Sequence, residues 1–276
     1  MGSVPSGFEA VDDAIRAGAD GAFAFLERLI GARSTVGEEA PAQRIVADEL
    51  ARLGFDVAAV PIPPGTAAQP GAGVAQAPYP GRANVWGRLG AGGSPSLLLN
   101  GHVDVVPAEP AVWRDDPFAA VTSAGWMTGR GAGDMKGGFA MGLLAVAALR
   151  RAMPGALSGE LSFLSVIEEE CTGNGTLAAC HAGVLGDAAV LLEPTGLGLL
   201  LGGVGVLWAE IEIEGVPAHA EAAIPDVIYI DSMAGELFLE EESDVRRYKL
   251  VFEHLRAVAE SPDAARSLIA GLVAQM

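Results

Sequence analysis

The sequence predicts an α/β protein of three layers, in which a mostly parallel sheet carries helices on both faces. Three short apolar runs support this prediction: SLLLN at 96–100, LSFLSVI at 161–167 and AAVLL at 188–192. Helical patterns separate these runs, and continuous apolar strands that alternate with helices are typical of parallel sheets buried on both faces. A composition of 50% hydrophobic and 19% charged residues also fits a globular protein and not a disordered one.

The elements before and between these runs follow from the spacing of apolar residues. Apolar side chains recur at helical spacing over 9–30 and again over 42–53, where Gly54 ends the second helix. A third helix is predicted over 135–151. The stretch 61–81 contains too much proline and glycine for regular structure, so we expect a long, mobile loop or insertion there.

The last third of the chain has a different pattern. Residues 199–215 alternate like a hairpin that exposes one face, which indicates the start of a second, antiparallel unit. Beyond residue 223 the pattern becomes that of a helical tail, whose last helix begins at Ser261 and Pro262. We therefore predict an α/β domain at 1–198, the first strands of a second unit at 199–223 and a helical tail of different pattern at 224–276.

Charge and cysteine content exclude several classes of partner. The chain has 17 basic and 35 acidic residues and a formal charge of -18, which disfavours binding to nucleic acid or to an anionic membrane. Two cysteines are too few for a disulfide framework. Because the sequence shows no signal peptide and no apolar segment long enough to span a membrane, we expect a cytoplasmic protein.

Acidic residues and a histidine follow each of the three apolar runs. His102 and Asp104 follow the first run, Glu168–Glu170 follow the second, and Glu193 follows the third. Ligands of open α/β sheets gather at the carboxyl ends of strands, so these side chains are expected to converge. Asp134 precedes the third helix, where it either caps that helix or points into the same crevice.

Such a cluster predicts a metal site. Carboxylates this close repel one another unless a divalent cation lies between them. One imidazole with oxygen ligands suits zinc, cobalt or manganese, and a carboxylate that bridges two ions is typical of a hydrolytic site.

Four longer motifs extend this pattern into a resemblance. They read LLLNGHVDVVPAEPAVWRDDPF, GWMTGRGAGDMKGGFAMGLLA, SVIEEECTGNGTLAA and LLEPTG. In order and spacing they resemble the di-zinc peptidases that include acetylornithine deacetylase, succinyl-diaminopimelate desuccinylase, aminoacylase and glutamate carboxypeptidase. The resemblance covers about residues 8–221, and it implies that 1–198 is the catalytic domain, that 199–223 holds the first strands of a lid and that the tail at 224–276 is unrelated. It implies hydrolysis of amide bonds in small N-acylated amino acids or peptides.

The resemblance assigns metal ligands residue by residue. It implies that His102 and Glu193 bind one zinc ion, that Glu170 binds a second, and that Asp134 bridges the two. The family pattern ends near Ala222, before the place where a complete member has its last zinc-binding histidine. We therefore expect one well-formed zinc site in this chain.

Catalytic roles are implied in the same way. Glu169 would be the general base that takes a proton from the attacking water, and Asp104 would orient the His102 ring. A register shifted by one residue would make Glu168 and Glu169 the functional pair. His219 matches a lid histidine that reaches the partner's active site in dimeric members, which implies a homodimer.

An alternative remains open at this point. Residues 224–276 resemble, more weakly, the end of the sensing domain behind bacterial helix-turn-helix regulators. A truncated hydrolase fused to such a tail would be a non-catalytic protein that keeps at most one metal site and acts by binding or association.

Overall fold

The computed structural model describes residues 8–90 and 92–196, apart from the side chain of Pro110, and all of them belong to one compact unit, Met1–Leu201. The predicted lid strands, the tail and His219 lie outside the described residues. Four helices and seven strands make up this part of the chain. In chain order they are α1 (Glu9–Gly31), α2 (Ala40–Arg52), β1 (Asp56–Pro61), β2 (Ala83–Leu89), β3 (Ser96–His102), β4 (Val121–Ser123), β5 (Trp126–Thr128), α3 (Lys136–Ala152), β6 (Glu160–Val166), α4 (Asn174–His181) and β7 (Ala188–Leu191).

Five of the strands form a mixed, mostly parallel sheet in the order β1-β2-β6-β3-β7. The three strands predicted from apolar runs, β3, β6 and β7, lie side by side and run parallel. β2 is antiparallel to both of its neighbours, β1 and β6, so four of the five strands share one direction. A separate hairpin pairs β4 with β5.

Helices cover both faces of the sheet, as the sequence predicts. Leu99 of β3 joins the larger core, which contains apolar side chains of α1, α2 and α3. Its neighbour Leu98 faces the other way, into a smaller core with Ala179 of α4. This alternation is the pattern of a strand buried on both faces.

The proline- and glycine-rich stretch 61–81 differs from the expectation of a mobile loop. It is irregular apart from a short 3-10 turn at Thr66–Ala68, but side chains along it are buried, including Ile62 and Tyr79. The side chain of Asn174 brackets Gly73, accepting its N–H at 2.9 Å and donating to its carbonyl oxygen at 2.9 Å. This loop is therefore fastened to the start of α4.

One further observation concerns the helices. None of those in the described ranges is both long enough and apolar enough to cross a membrane.

Candidate metal centre

The parallel strands bring the predicted site residues together at the carboxyl ends of the strands. His102 ends β3 and pairs in register with Val166, the last residue of β6. On the other side of β3, the N–H of Leu192 donates to the Asn100 carbonyl oxygen at 2.9 Å, which carries the chain from β7 towards Glu193. The acidic groups after β6 and β7 therefore flank His102.

His102 lies at the centre of these groups and is 1% exposed. Its Nδ1 is 2.9 Å from the main-chain oxygen of Asp104. Its Nε2 lies 3.1 Å from Asp134 Oδ1, 3.6 Å from Glu169 Oε2 and 3.7 Å from Glu193 Oε1. Because Nδ1 is engaged by a carbonyl oxygen, which can only accept, Nε2 is the ring nitrogen left for a ligand in the neutral imidazole.

The donor set fits a divalent cation. One ligand atom each from His102, Asp134 and Glu170 lies within 4.8 Å of the others. An imidazole with two carboxylates is a set that zinc and related ions accept. Glu193 lies beside this group, with Oε1 at 3.7 Å from His102 Nε2. The four predicted ligands therefore lie together at one site, here termed the metal cleft.

Asp134 points into this cleft. α3 begins at Lys136, and no side chain makes a capping hydrogen bond at its first turn. The capping role considered from the sequence is therefore wrong for Asp134.

Asp104 acts through two different groups. Its main-chain oxygen contacts the His102 ring, whereas its buried carboxylate accepts the N–H of Glu169 at 3.3 Å and of Glu170 at 3.1 Å. Asp104 Oδ1 is 3.7 Å from His102 Nδ1, beyond a hydrogen bond. The carboxylate thus holds the turn that carries the two glutamates, and the main chain orients the ring.

The three consecutive glutamates have different surroundings. Glu168 is fully buried, and its carboxylate accepts hydrogen bonds from Arg82, Tyr79 and Thr172. Glu170 belongs to the ligand group, and the side chain of Glu169 is 51% exposed beside His102. This arrangement favours the register in which Glu169 and Glu170 are the functional pair.

Burial and mutual repulsion shift the pKa values of the cluster. Burial, helped by the charges of Asp134, Asp104 and Glu169 and opposed by that of His102, raises the pKa of Glu170 to about 7. Burial also raises the pKa of Glu193. Without a cation, these carboxylates therefore hold protons at a pH at which exposed ones would be ionised.

The pKa of the histidine is raised as well, but for this residue the protonated form is the charged one. Burial opposes the charge on His102, but the hydrogen bond to Asp134 and the charges of Asp104, Glu169 and Glu193 together raise its pKa to about 9. The same hydrogen bond lowers the pKa of Asp134. A proton on His102 thus compensates part of the negative charge that a metal ion would otherwise neutralise.

Two other residues near the site have structural surroundings. Cys171 follows Glu170, and burial followed by the charges of Glu168 and Asp104 raises the pKa of its thiol to about 12, which disfavours a nucleophilic thiolate. His181 is the last residue of α4 and is exposed. It takes no part in the cleft.

Two largely buried basic residues near the site had no signal of their own in the sequence. Lys136 is fully buried and donates to the carbonyl oxygens of Leu29 at 2.8 Å and Ala32 at 3.1 Å, and burial lowers its pKa to about 7. Arg82 directly follows the proline- and glycine-rich stretch and pairs with Glu168. Glu168, the extra glutamate beside the predicted pair, was the one sequence feature that pointed to a buried positive partner.

Comparison with known proteins adds a family. A model of peptidase family M20/M25/M40 matches residues 98–270. The match includes most of the segment 224–276 and gives no support to a resemblance of that segment to regulator sensing domains. The boundaries predicted at 198 and 223 remain predictions.

Two curated relatives and a solved structure resemble this chain. The succinyl-diaminopimelate desuccinylase of Methylobacterium radiotolerans is 35% identical over 229 residues, covering 77% of this chain and 55% of the relative. The N-formyl-4-amino-5-aminomethyl-2-methylpyrimidine deformylase of Bacillus subtilis is 42% identical over 139 residues, covering 49% of this chain and 32% of the relative. The di-peptidase Dug1p of Saccharomyces cerevisiae shares the fold, with a TM-score of 0.54 at 22% identity over 66% of this chain and 40% of that one. The chain thus spans about half the length, or less, of these relatives.

Proposed function

Because the chain belongs to peptidase family M20/M25/M40, we propose that it takes part in the metal-dependent hydrolysis of amide bonds in small N-acylated amino acids or peptides. The observation that carries this proposal is the convergence of His102, Asp134 and Glu170 ligand atoms within 4.8 Å. The desuccinylase and deformylase relatives favour an N-acyl substrate. Nothing in the described residues or in the comparisons favours the non-catalytic alternative.

The proposed ion is zinc, with cobalt or manganese as the other ions that this donor set accepts. The resemblance implies that His102, Asp134 and Glu193 would hold one ion and that Glu170, together with Asp134, would hold a second. Bound there, a divalent cation would polarise the scissile carbonyl group and make water more acidic. Elemental mass spectrometry after gel filtration would identify the metal, and protein that stays metal-free after zinc reconstitution would contradict the proposal.

Glu169 is the proposed general base. Its carboxylate is half exposed beside His102, so both water and substrate can reach it. It would take a proton from water as the water oxygen bonds to the acyl carbon, and then deliver that proton to the nitrogen of the breaking C–N bond. Asp104 would keep the Glu169 main chain in place through the hydrogen bond at 3.3 Å.

Substitution of the base tests this assignment. We expect Glu169→Ala to lower turnover of N-succinyl or N-acetyl amino acids by about 10²- to 10⁴-fold, the usual contribution of a general base. Its zinc content should stay at the wild-type value, because Glu169 is outside the proposed ligand set. The matched control is Glu27→Ala, an exposed glutamate of α1. Unchanged turnover in Glu169→Ala would show that the base is another group.

A homodimer is the finer part of the proposal. The resemblance implies that His219 of one copy polarises the substrate carbonyl in the other copy, although His219 lies outside the described residues. Mixing inactive Glu169→Ala with inactive His219→Ala should then restore turnover, because one site of each mixed dimer has both groups. Mixing without recovery, between variants shown to exchange subunits, would contradict a shared site.

A further inference from the structure

A buried network lies behind the acidic turn Glu168–Glu170, on the side away from the metal cleft. Oε1 of Glu168 accepts an N–H from Arg82. Oε2 accepts the hydroxyl of Tyr79 at 3.1 Å and that of Thr172 at 2.8 Å. Every carboxylate oxygen of this fully buried residue therefore has a donor.

Arg82 joins this carboxylate to a second one. Its side chain is 9% exposed, and its Nε donates to Glu39 Oε2 at 3.1 Å while Nη2 donates to Glu39 Oε1. Glu39 is buried directly before α2 and also accepts the N–H of Gly37 at 2.9 Å. The planar guanidinium thus bridges the start of α2 and the acidic turn, a geometry that a lysine cannot reproduce.

The backbone of Glu168 shows why the turn needs this support. Its φ is +63°, in the left-handed region that residues other than glycine adopt rarely and that surrounding contacts must hold. Its carbonyl oxygen accepts the N–H groups of Thr172 at 3.0 Å and Gly173 at 2.7 Å. The direction in which the chain leaves Glu168 sets where Glu169 and Glu170 begin.

The turn is therefore held by two separate sets of contacts. Arg82 pairs with the Glu168 carboxylate, and the Asp104 carboxylate accepts the N–H groups of Glu169 and Glu170. Arg82 donates its hydrogen bonds to Glu39, Ala77 and Glu168, and not to the donor set or the proposed base. The turn is therefore the hydrogen-bonded route by which Arg82 can place the two glutamates.

We propose that Arg82 is a positioning residue, which holds Glu168 in the buried network and thereby places Glu169 and Glu170 at the metal cleft. This inference rests on the proposed function for the role of those two glutamates. Arg82 would thus act on the site without contacting the metal or the substrate.

The test compares zinc affinity in three full-length variants, by competition with a fluorescent chelator. Arg82→Met removes the bridge and should weaken zinc binding by about 10- to 100-fold, the usual effect of losing a partner that orients metal ligands. Glu39→Gln disturbs the same network but leaves the Arg82–Glu168 pair, so its affinity should stay near the wild-type value even if its melting temperature falls. Arg88→Met, an arginine-to-methionine change at an exposed ion pair of β2, should leave both unchanged.

A kinetic readout separates positioning from loss of fold. At saturating zinc, Arg82→Met should lower kcat with a smaller change in KM, because the base is displaced while the rest of the cleft remains. If Arg82→Met does not fold, Arg82→Lys replaces it, since it keeps the buried charge without the planar bridge and should still bind zinc more weakly than wild type.

Wild-type zinc affinity in a folded Arg82→Met protein, or in Arg82→Lys where Met is not tolerated, would overturn the inference. An affinity loss in Glu39→Gln equal to that in Arg82→Met would also overturn it, because general destabilisation would then explain both. Since zinc binding needs no substrate, these outcomes are decided even if the wild type hydrolyses no amide, and failure of the proposed function stays distinguishable.

Discussion

At the scale of single residues, the charges in the cleft determine how metal affinity depends on pH. With pKa values raised to about 9 for His102 and about 7 for Glu170, both residues hold protons that a cation must displace. Below pH 7 both protons are lost on binding, so apparent affinity should rise about 100-fold per pH unit; between pH 7 and 9 only His102 releases one, and the rise should be about tenfold. Zinc titration against a competing chelator from pH 6 to 8.5 measures this change of slope.

Glu170→Gln provides the control for that slope. It should bind zinc more weakly at every pH, but without a carboxyl proton to displace it should show only the tenfold dependence below pH 7. An affinity that does not change with pH in the wild type would mean that neither group is protonated in the metal-free protein.

Residue-scale prediction from sequence succeeded where chain position alone decides the neighbours. His102 ends one of three parallel strands, and Glu170 and Glu193 follow the other two, so the sheet topology alone brings them to the same end of the sheet. Arg82 had no such signal. Its partner Glu168 is distant in sequence, and only the folded loop that ends at Arg82 brings the two side chains into contact. The contacts of Tyr79 with Glu168 and of Asn174 with Gly73 also join residues far apart in sequence, so they could not be predicted either.

At the scale of elements, the strands that were predicted are those that contain a continuous apolar run. β3 and β6 are largely buried and β7 is exposed at all four of its residues, yet each contains such a run, whereas β1 has the sequence DVAAVP. Neither alternation nor a long apolar run marks β1. β2 was missed together with β1, its antiparallel neighbour on the outer side. The sequence therefore predicted the three parallel strands but not the two strands at the antiparallel side of the sheet.

Close packing of α3 on the end of β7 makes an element-scale prediction. A Cβ added at Gly138 would lie 2.0 Å from the Leu192 carbonyl oxygen, next to Glu193, and backbone must move to admit it. We expect Gly138→Ala to lower the free energy of unfolding by about 1–3 kcal/mol, the usual cost of overpacking, and to weaken zinc binding as Glu193 shifts. Urea unfolding and the chelator titration measure the two effects.

Gly21→Ala in α1 is the matched control. A Cβ there meets nothing within 4 Å, so the substitution should stabilise the protein by about 0.5–1 kcal/mol through helix propensity. If Gly138→Ala were as stable as Gly21→Ala and bound zinc normally, the close approach of α3 to Leu192 would not position Glu193.

At the scale of the whole molecule, the proposed ligands join separate parts of the fold. They lie at the end of β3, before α3, after β6 and after β7, so unfolding separates all of them. A cation that binds only the folded chain must therefore stabilise the entire unit. The acidic balance of the chain, -18 in formal charge, adds to this, because a divalent cation reduces the repulsion among the carboxylates of the site.

Metal removal should accordingly lower stability by an amount set by mass action. With free zinc at about 100 times its Kd, the free energy of unfolding should exceed that in EDTA by about 2.7 kcal/mol, measured by urea denaturation of the purified chain. His102→Ala removes the central ligand and should abolish the difference. His181→Ala, which removes an exposed histidine at the end of α4, should keep it in full. Equal stabilisation of both variants by zinc would place the stabilising ion somewhere other than at His102.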